Sequence, residues 1–278
     1  MGCFNFVKQS DYIICIDSDG CAMDTMEVKH RECFGPQWIY TYGLEDRFEE
    51  CMKLWLDINL YSISRGINRF KGLALALTEM EKRGCKFDGL EEFLTWTNEA
   101  KELSNPALLA YAQKSSSECV EKALLWSIRT NRAVYNMPEV DKPFENVKKA
   151  MDAMSQEADL VAVSSGNTET VNAEWTKHGL KEDCRALLCQ EVGSKEYSIS
   201  GLIRKGYDAA KMLMVGAAPE DKYAAEKNGI WYFPILVGKE ADSWDRLLNE
   251  AFPKLLDGTF EETYQEQLNK EFETNLGV

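Results

Sequence analysis

The sequence predicts an α/β fold with a parallel sheet and an all-helical domain inserted after its first strand. Three observations lead there. Short apolar runs at Tyr12–Ile16, Asp159–Ser164, Met212–Val215 and Ile230–Ile235 have the length of buried strands, and from the second onward they alternate with helical patterns. Between Glu27 and about Met137 the apolar residues recur only at helical spacing, over roughly 110 residues. Two carboxylates, Asp17 and Asp19, stand at the carboxyl end of the first run, where open α/β sheets place their ligands.

The first strand ends in Asp17-Ser18-Asp19-Gly20. The i, i+2 spacing in a chain leaving a strand lets both carboxylates face one crevice, and Gly20 permits the tight turn that follows. A surface turn is the plain alternative, since Asp and Gly are common turn residues. An EF-hand fails, because its fifth, sixth and twelfth positions fall on Cys21, Ala22 and Val28. The insert reads as helices over Cys51–Tyr61, Phe70–Arg83, Gly89–Ala100 and Pro106–Trp126, with 127–143 as the return link. Trp38, Trp55, Trp96 and Trp126 are its expected core.

The second strand runs into Ser164-Ser165-Gly166-Asn167 and a helix to about His178. Hydroxyls beside a helix N-terminus suit a phosphate, and the same residue types suit an ordinary cap. A weak third strand over Ala186–Cys189 precedes Lys195, expected in a loop, where it either neutralises a phosphoryl group or is solvated. A helix over Ser198–Lys205 leads to the fourth strand, which ends in Gly216-Ala217-Ala218-Pro219-Glu220-Asp221 and opens the next helix at Pro219. Pro234 fits an edge or strand-end position in the fifth strand. From Asp242 onward two surface helices are expected.

The 278 residues, 45% hydrophobic and 28% charged, are those of a soluble globular protein. With 32 basic against 46 acidic side chains the net charge is −14, which disfavours nucleic acid as a partner. No apolar run is long enough for a membrane span, and the N-terminus shows no signal-peptide core. Nine cysteines at irregular spacing, without a CxxC pair, make a poor disulfide framework, so a reduced, cytoplasmic protein is expected, as monomer or homodimer.

The order strand–DxDG, helical insert, strand–Ser, Lys, strand–G(x)4D resembles the haloacid dehalogenase-like hydrolase superfamily, in its phosphatase branch with a helical cap. Asp17-Ser18-Asp19-Gly20 with Asp24-Thr25 is similar to that family's first motif, Ser164 to its second, Lys195 to its third and Gly216–Asp221 to most of its fourth. The run Asp24–His30 resembles the cap entry of the phosphoglucomutase-like branch.

The resemblance implies a Rossmann-like core of residues 1–25 and 144–278 and a cap of 26–143. It implies a magnesium-dependent phosphatase of a small phosphorylated metabolite. Asp17 would be the nucleophile, Asp19 the acid and base, and Ser164, Ser165 and Lys195 the phosphate ligands. The Asp17 carboxylate, the Asp19 backbone carbonyl and Asp221 would hold magnesium, and Arg65 or Arg69 of the cap would touch substrate. The chain departs from the family at Ala217, where the fourth motif usually carries a metal-binding acid. A weakened site, a catalytically impaired binding or regulatory protein, and a phosphomutase or phosphonatase of the same superfamily are the alternatives.

Overall fold

In a computed structural model of the chain, residues 4–138 and 141–278 are described. The chain forms two compact units, one of Met1–Met26 with Asp141–Val278, the other of Glu27–Val140.

The first unit is an α/β layer structure. Its strands are β1 (Ile13–Ile16), β2 (Asp159–Val163), β3 (Cys184–Leu188), β4 (Met212–Gly216) and β5 (Trp231–Pro234). All pair in parallel, in the order β3-β2-β1-β4-β5. Central β1 is buried on both faces, as its unbroken apolar sequence requires. Alternate residues serve opposite layers. Ile14, Ile16, Leu160, Leu213 and Phe233 pack with Met151, Trp175, Trp244 and Phe252. Ile13, Cys15, Val161, Met214 and Tyr232 pack with Ile199, Leu202 and Phe272. The C-terminal segment is more than a pair of surface helices. Helices at Glu240–Arg246, Phe252–Asp257 and Glu262–Asn275 bury Trp244, Phe252, Leu268 and Phe272 in these two cores. A helix at Val147–Met154, unassigned in the sequence reading, precedes β2.

The second unit is helical. Its principal helices are Gly35–Tyr42, Phe48–Asn59, Arg69–Lys82, Leu90–Glu99, Asn105–Ala112 and Glu118–Asn136. Trp38, Trp55, Trp96 and Trp126 are buried together with Phe70 and Phe93, and Trp55 meets Trp126 edge-on at 5.6 Å. The helix expected over Pro106–Trp126 is two helices, because Ser117 caps a new one through the Val120 N–H. That helix continues to Asn136, well into the expected return link. The rest of the link includes positions 139–140, which lie outside the described residues, as does Cys3. Every cysteine among the described residues is a free thiol. No helix among them is long and apolar enough to cross a membrane.

Candidate active site

Parallel pairing brings the ends of β1, β2 and β4 to one edge of the sheet. Asp17 continues β1, and its N–H donates to the Val215 carbonyl of β4 at 3.0 Å. The chain then folds back on itself. Gly20, at φ +73°, lets its N–H reach the Met23 carbonyl at 2.8 Å, while Met23 N–H returns to Ser18 at 2.9 Å. Cys21, Ala22 and Met23 are wholly buried by this turn, which makes it a pinned structure rather than a surface loop. The Trp175 indole N–H donates to Ser18 Oγ at 2.8 Å, tying the turn to the helix after β2. Asp19 is half-buried, and its Oδ1 accepts the hydroxyl of the buried Thr25.

Lys195 lies at the centre of the site. It is the first residue of the helix Lys195–Arg204, which Ser194 caps through the Tyr197 N–H, and not a loop residue. Only 4% of its surface is exposed. Its ammonium sits 3.0 Å from Asp17 Oδ1 and 2.5 Å from Asp221 Oδ1. A lysine ammonium has three N–H groups, so one is left over for a ligand. Burial works to lower the Lys195 ammonium, but the charges of Asp17, Asp221 and Glu220 outweigh it and hold the group above its ordinary range. Burial first, and the Asp221 charge second, push the Asp17 carboxyl up to about 7 against the pull of Lys195.

Asp221 is fully buried at the start of the helix Pro219–Asn228. Its Oδ2 accepts the N–H groups of Ala217 and Ala218, both at 3.0 Å. Those are donors that a helix start otherwise leaves without partners. Gly216 makes room for this carboxylate: a Cβ there would lie 2.3 Å from Asp221 Cγ.

Ser164 is buried at the end of β2, and its Oγ accepts the Gly166 N–H at 3.1 Å. A Cβ on Gly166 would lie 3.3 Å from Ser164 Oγ and 3.9 Å from Asp19 Oδ2, so both side chains border the same small space. The helix that follows is capped by its own chain. Asn167 accepts Thr170 N–H at 2.9 Å, and Glu191 Oε2 accepts Thr168 N–H at 3.0 Å. Ser165 is exposed, with its Oγ 3.4 Å from Glu220 Oε2.

Asp17, Asp19, Ser164, Lys195 and Asp221 thus belong to one unit and one sheet edge. Arg65 and Arg69 belong to the helical unit. Arg65 is buried and donates to the Leu60 carbonyl at 3.0 Å. Arg69 donates to Ser127 Oγ and Asn131 Oδ1 and stacks over Phe34. Sequence reasoning missed the contacts of Thr25, Trp175 and Gly216, since no spacing pattern marks a residue that serves a site by holding its neighbours.

Magnesium favours near-octahedral oxygen coordination, with one or two carboxylates and several waters, and the side chains present fit it poorly. Of the implied ligands, Asp221 has both oxygens engaged, one by Lys195 and one by two backbone N–H groups. Asp17 Oδ1 is bonded to Lys195, and Asp19, whose Oδ1 accepts the Thr25 hydroxyl, is left with its backbone carbonyl as the implied ligand. Ala217 offers no side-chain oxygen. Among the described residues, no group of three or more His, Cys, Asp or Glu side chains is placed to hold a metal ion.

No family model matches the chain, and no curated protein does. Solved structures similar to it include one named as a candidate phosphoglycolate phosphatase from Lactobacillus delbrueckii, with 14% identity, 81% of this chain and 85% of that chain covered, and a TM-score of 0.49. Another is a haloacid dehalogenase-like hydrolase from Streptococcus pneumoniae, with 12% identity, 80% and 83% covered, and a TM-score of 0.44. A third is named as a candidate beta-phosphoglucomutase from Thermotoga maritima, with 17% identity, 80% and 84% covered, and a TM-score of 0.44. At these identities and TM-scores, the activities in those names stay with those proteins.

Proposed function

We propose that the chain is a hydrolase of a small phosphorylated metabolite that works through an aspartyl-phosphate. The observation that carries this reading is the buried Lys195 ammonium held against Asp17, with Asp19 and Ser164 bordering a common space. An Asp17 oxygen would attack phosphorus and form an O–P bond while the bond to the leaving oxygen breaks. Asp19, protonated, would give its proton to that oxygen. Water would then attack phosphorus, with Asp19 taking the water's proton, and the O–P bond to Asp17 would break to release inorganic phosphate. Ser164 Oγ–H and the remaining Lys195 N–H would hold the phosphoryl oxygens as charge shifts among them.

A second reading rests on Ala217: the site binds a phosphorylated ligand without turning it over. A screen of small phosphomonoesters, with release of inorganic phosphate as the readout, separates the two. Turnover by the native chain, lost in Asp17→Asn, is the expected result. Equal turnover by native and Asp17→Asn protein would sink the nucleophile assignment. Saturable ligand binding without turnover would establish the second reading.

A further inference from the structure

We infer that this site works without a divalent cation of its own: Lys195 is its resident cation, and Ala217 is the side chain whose lack of oxygen keeps a metal out. The inference rests on the phosphoryl-site reading above. Three features carry it. The ammonium bridges Asp17 Oδ1 and Asp221 Oδ1, so it already occupies the gap between the two buried carboxylates. Asp221 cannot turn away to bind an ion, because its other oxygen holds the N–H groups of Ala217 and Ala218 and its Cβ is packed against Gly216. Position 217 lies just past the Ile16–Val215 pair of β1 and β4, beside the chain that carries Asp17, and it is 2% exposed. A carboxylate there would add an oxygen at the same sheet edge; a methyl group adds none.

A hard dication dehydrates reluctantly and is held where one or two carboxylates are free to receive it beside its remaining waters. Here Asp221 is saturated, Asp17 shares an oxygen with an ammonium, Asp19 Oδ1 accepts a hydroxyl, and Glu220 lies against the Ser165 hydroxyl. An arriving dication would also meet the Lys195 charge at short range. The consequence is a site that holds a phosphoryl group through an ammonium and a serine hydroxyl.

The test is manganous ion alone, titrated into the native chain, Asp17→Asn and Ala217→Asp, with bound metal read from loss of the free-ion paramagnetic resonance signal. Turnover is not measured, so the result stands whether or not the chain hydrolyses phosphomonoesters. Native protein and Asp17→Asn should take up the same small amount of manganese, that of surface carboxylates. Ala217→Asp should bind one ion per chain at least about tenfold more tightly than native, as an added anionic ligand demands. One ion bound per native chain and lost in Asp17→Asn would overturn the inference. So would a folded Ala217→Asp, judged by an unchanged circular dichroism melt, that binds no more metal than native. If Ala217→Asp does not fold, the comparison of native with Asp17→Asn still decides.

Discussion

Replacing Lys195 with Met tests the centre of the site directly. The change keeps most of the aliphatic stem and removes the charge. Asp17, 6% exposed, and Asp221, fully buried, would then face each other without a cation. At an effective dielectric near 20, an ion pair at the observed 3.0 and 2.5 Å is worth about 5–7 kcal/mol before desolvation is counted. Desolvation of the ammonium offsets part of that. Removing one partner of a buried pair typically costs about 3–5 kcal/mol, the loss expected here at pH 8. Urea unfolding followed by circular dichroism measures it. At pH 5 the loss should be smaller, because without Lys195 the Asp17 carboxyl takes up a proton more readily and the two oxyanions cease to repel. The double variant Lys195→Met/Asp17→Asn should recover more than half of the loss at pH 8. A loss below about 1 kcal/mol at pH 8, the size of an exposed pair, would refute a buried ammonium bridge.

Two further outcomes follow from other contacts. The Asp17 carboxyl keeps its proton in the folded chain up to about 7 and loses it near its ordinary 3.8 when unfolded, so the native state binds more protons between those values. Its contribution to stability therefore falls as pH rises from about 4 to 7 and is level above 7; Asp17→Asn should flatten that segment of the stability curve. On the outer strand β5, Gln265 accepts Tyr232 N–H at 2.8 Å and donates to the Tyr232 carbonyl at 2.9 Å, in place of a neighbouring strand. Gln265→Leu should cost about 1–3 kcal/mol in urea unfolding, and no measurable loss would mean that water replaces the amide.

The strands at the site were legible because burial on both faces leaves an unbroken apolar run, as in Ile13–Ile16 and Met212–Val215. The chemistry-bearing residues were legible because they follow those runs directly: Asp17 after β1, Ser164 after β2. Gly193-Ser194 just before Lys195 suggests a loop in the sequence, whereas Ser194 is the cap from which the helix starts. The burial of Trp244, Phe252 and Phe272 was hidden for a different reason: an amphipathic helix shows that it has a buried face, not which core that face enters. The state of Asp221 was least accessible. Its partners include two backbone N–H groups and a lysine 26 positions away, and backbone donors leave no mark in sequence.

Charge bookkeeping at the site leads to a last prediction. Asp17 and Asp221 carry two negative charges against the one positive charge of Lys195 when Asp17 is ionised. A dianion entering beside Lys195 must therefore displace or share an ammonium already held by two oxyanions. Protonating Asp17 removes one competitor and frees a Lys195 N–H. With the carboxyl pushed up to about 7, that switch lies in the neutral range. Sulfate is the clean probe, because it stays dianionic throughout, whereas phosphate titrates alongside the protein. By linkage, sulfate affinity should strengthen from pH 8 to pH 6, approaching about tenfold per pH unit above the Asp17 value and levelling below it. Asp17→Asn should bind sulfate with nearly constant affinity over the same range. Calorimetric titration gives both curves. A flat native curve would mean that sulfate binds without disturbing the Lys195–Asp17 contact, and protonation of Asp17 would then not govern anion binding.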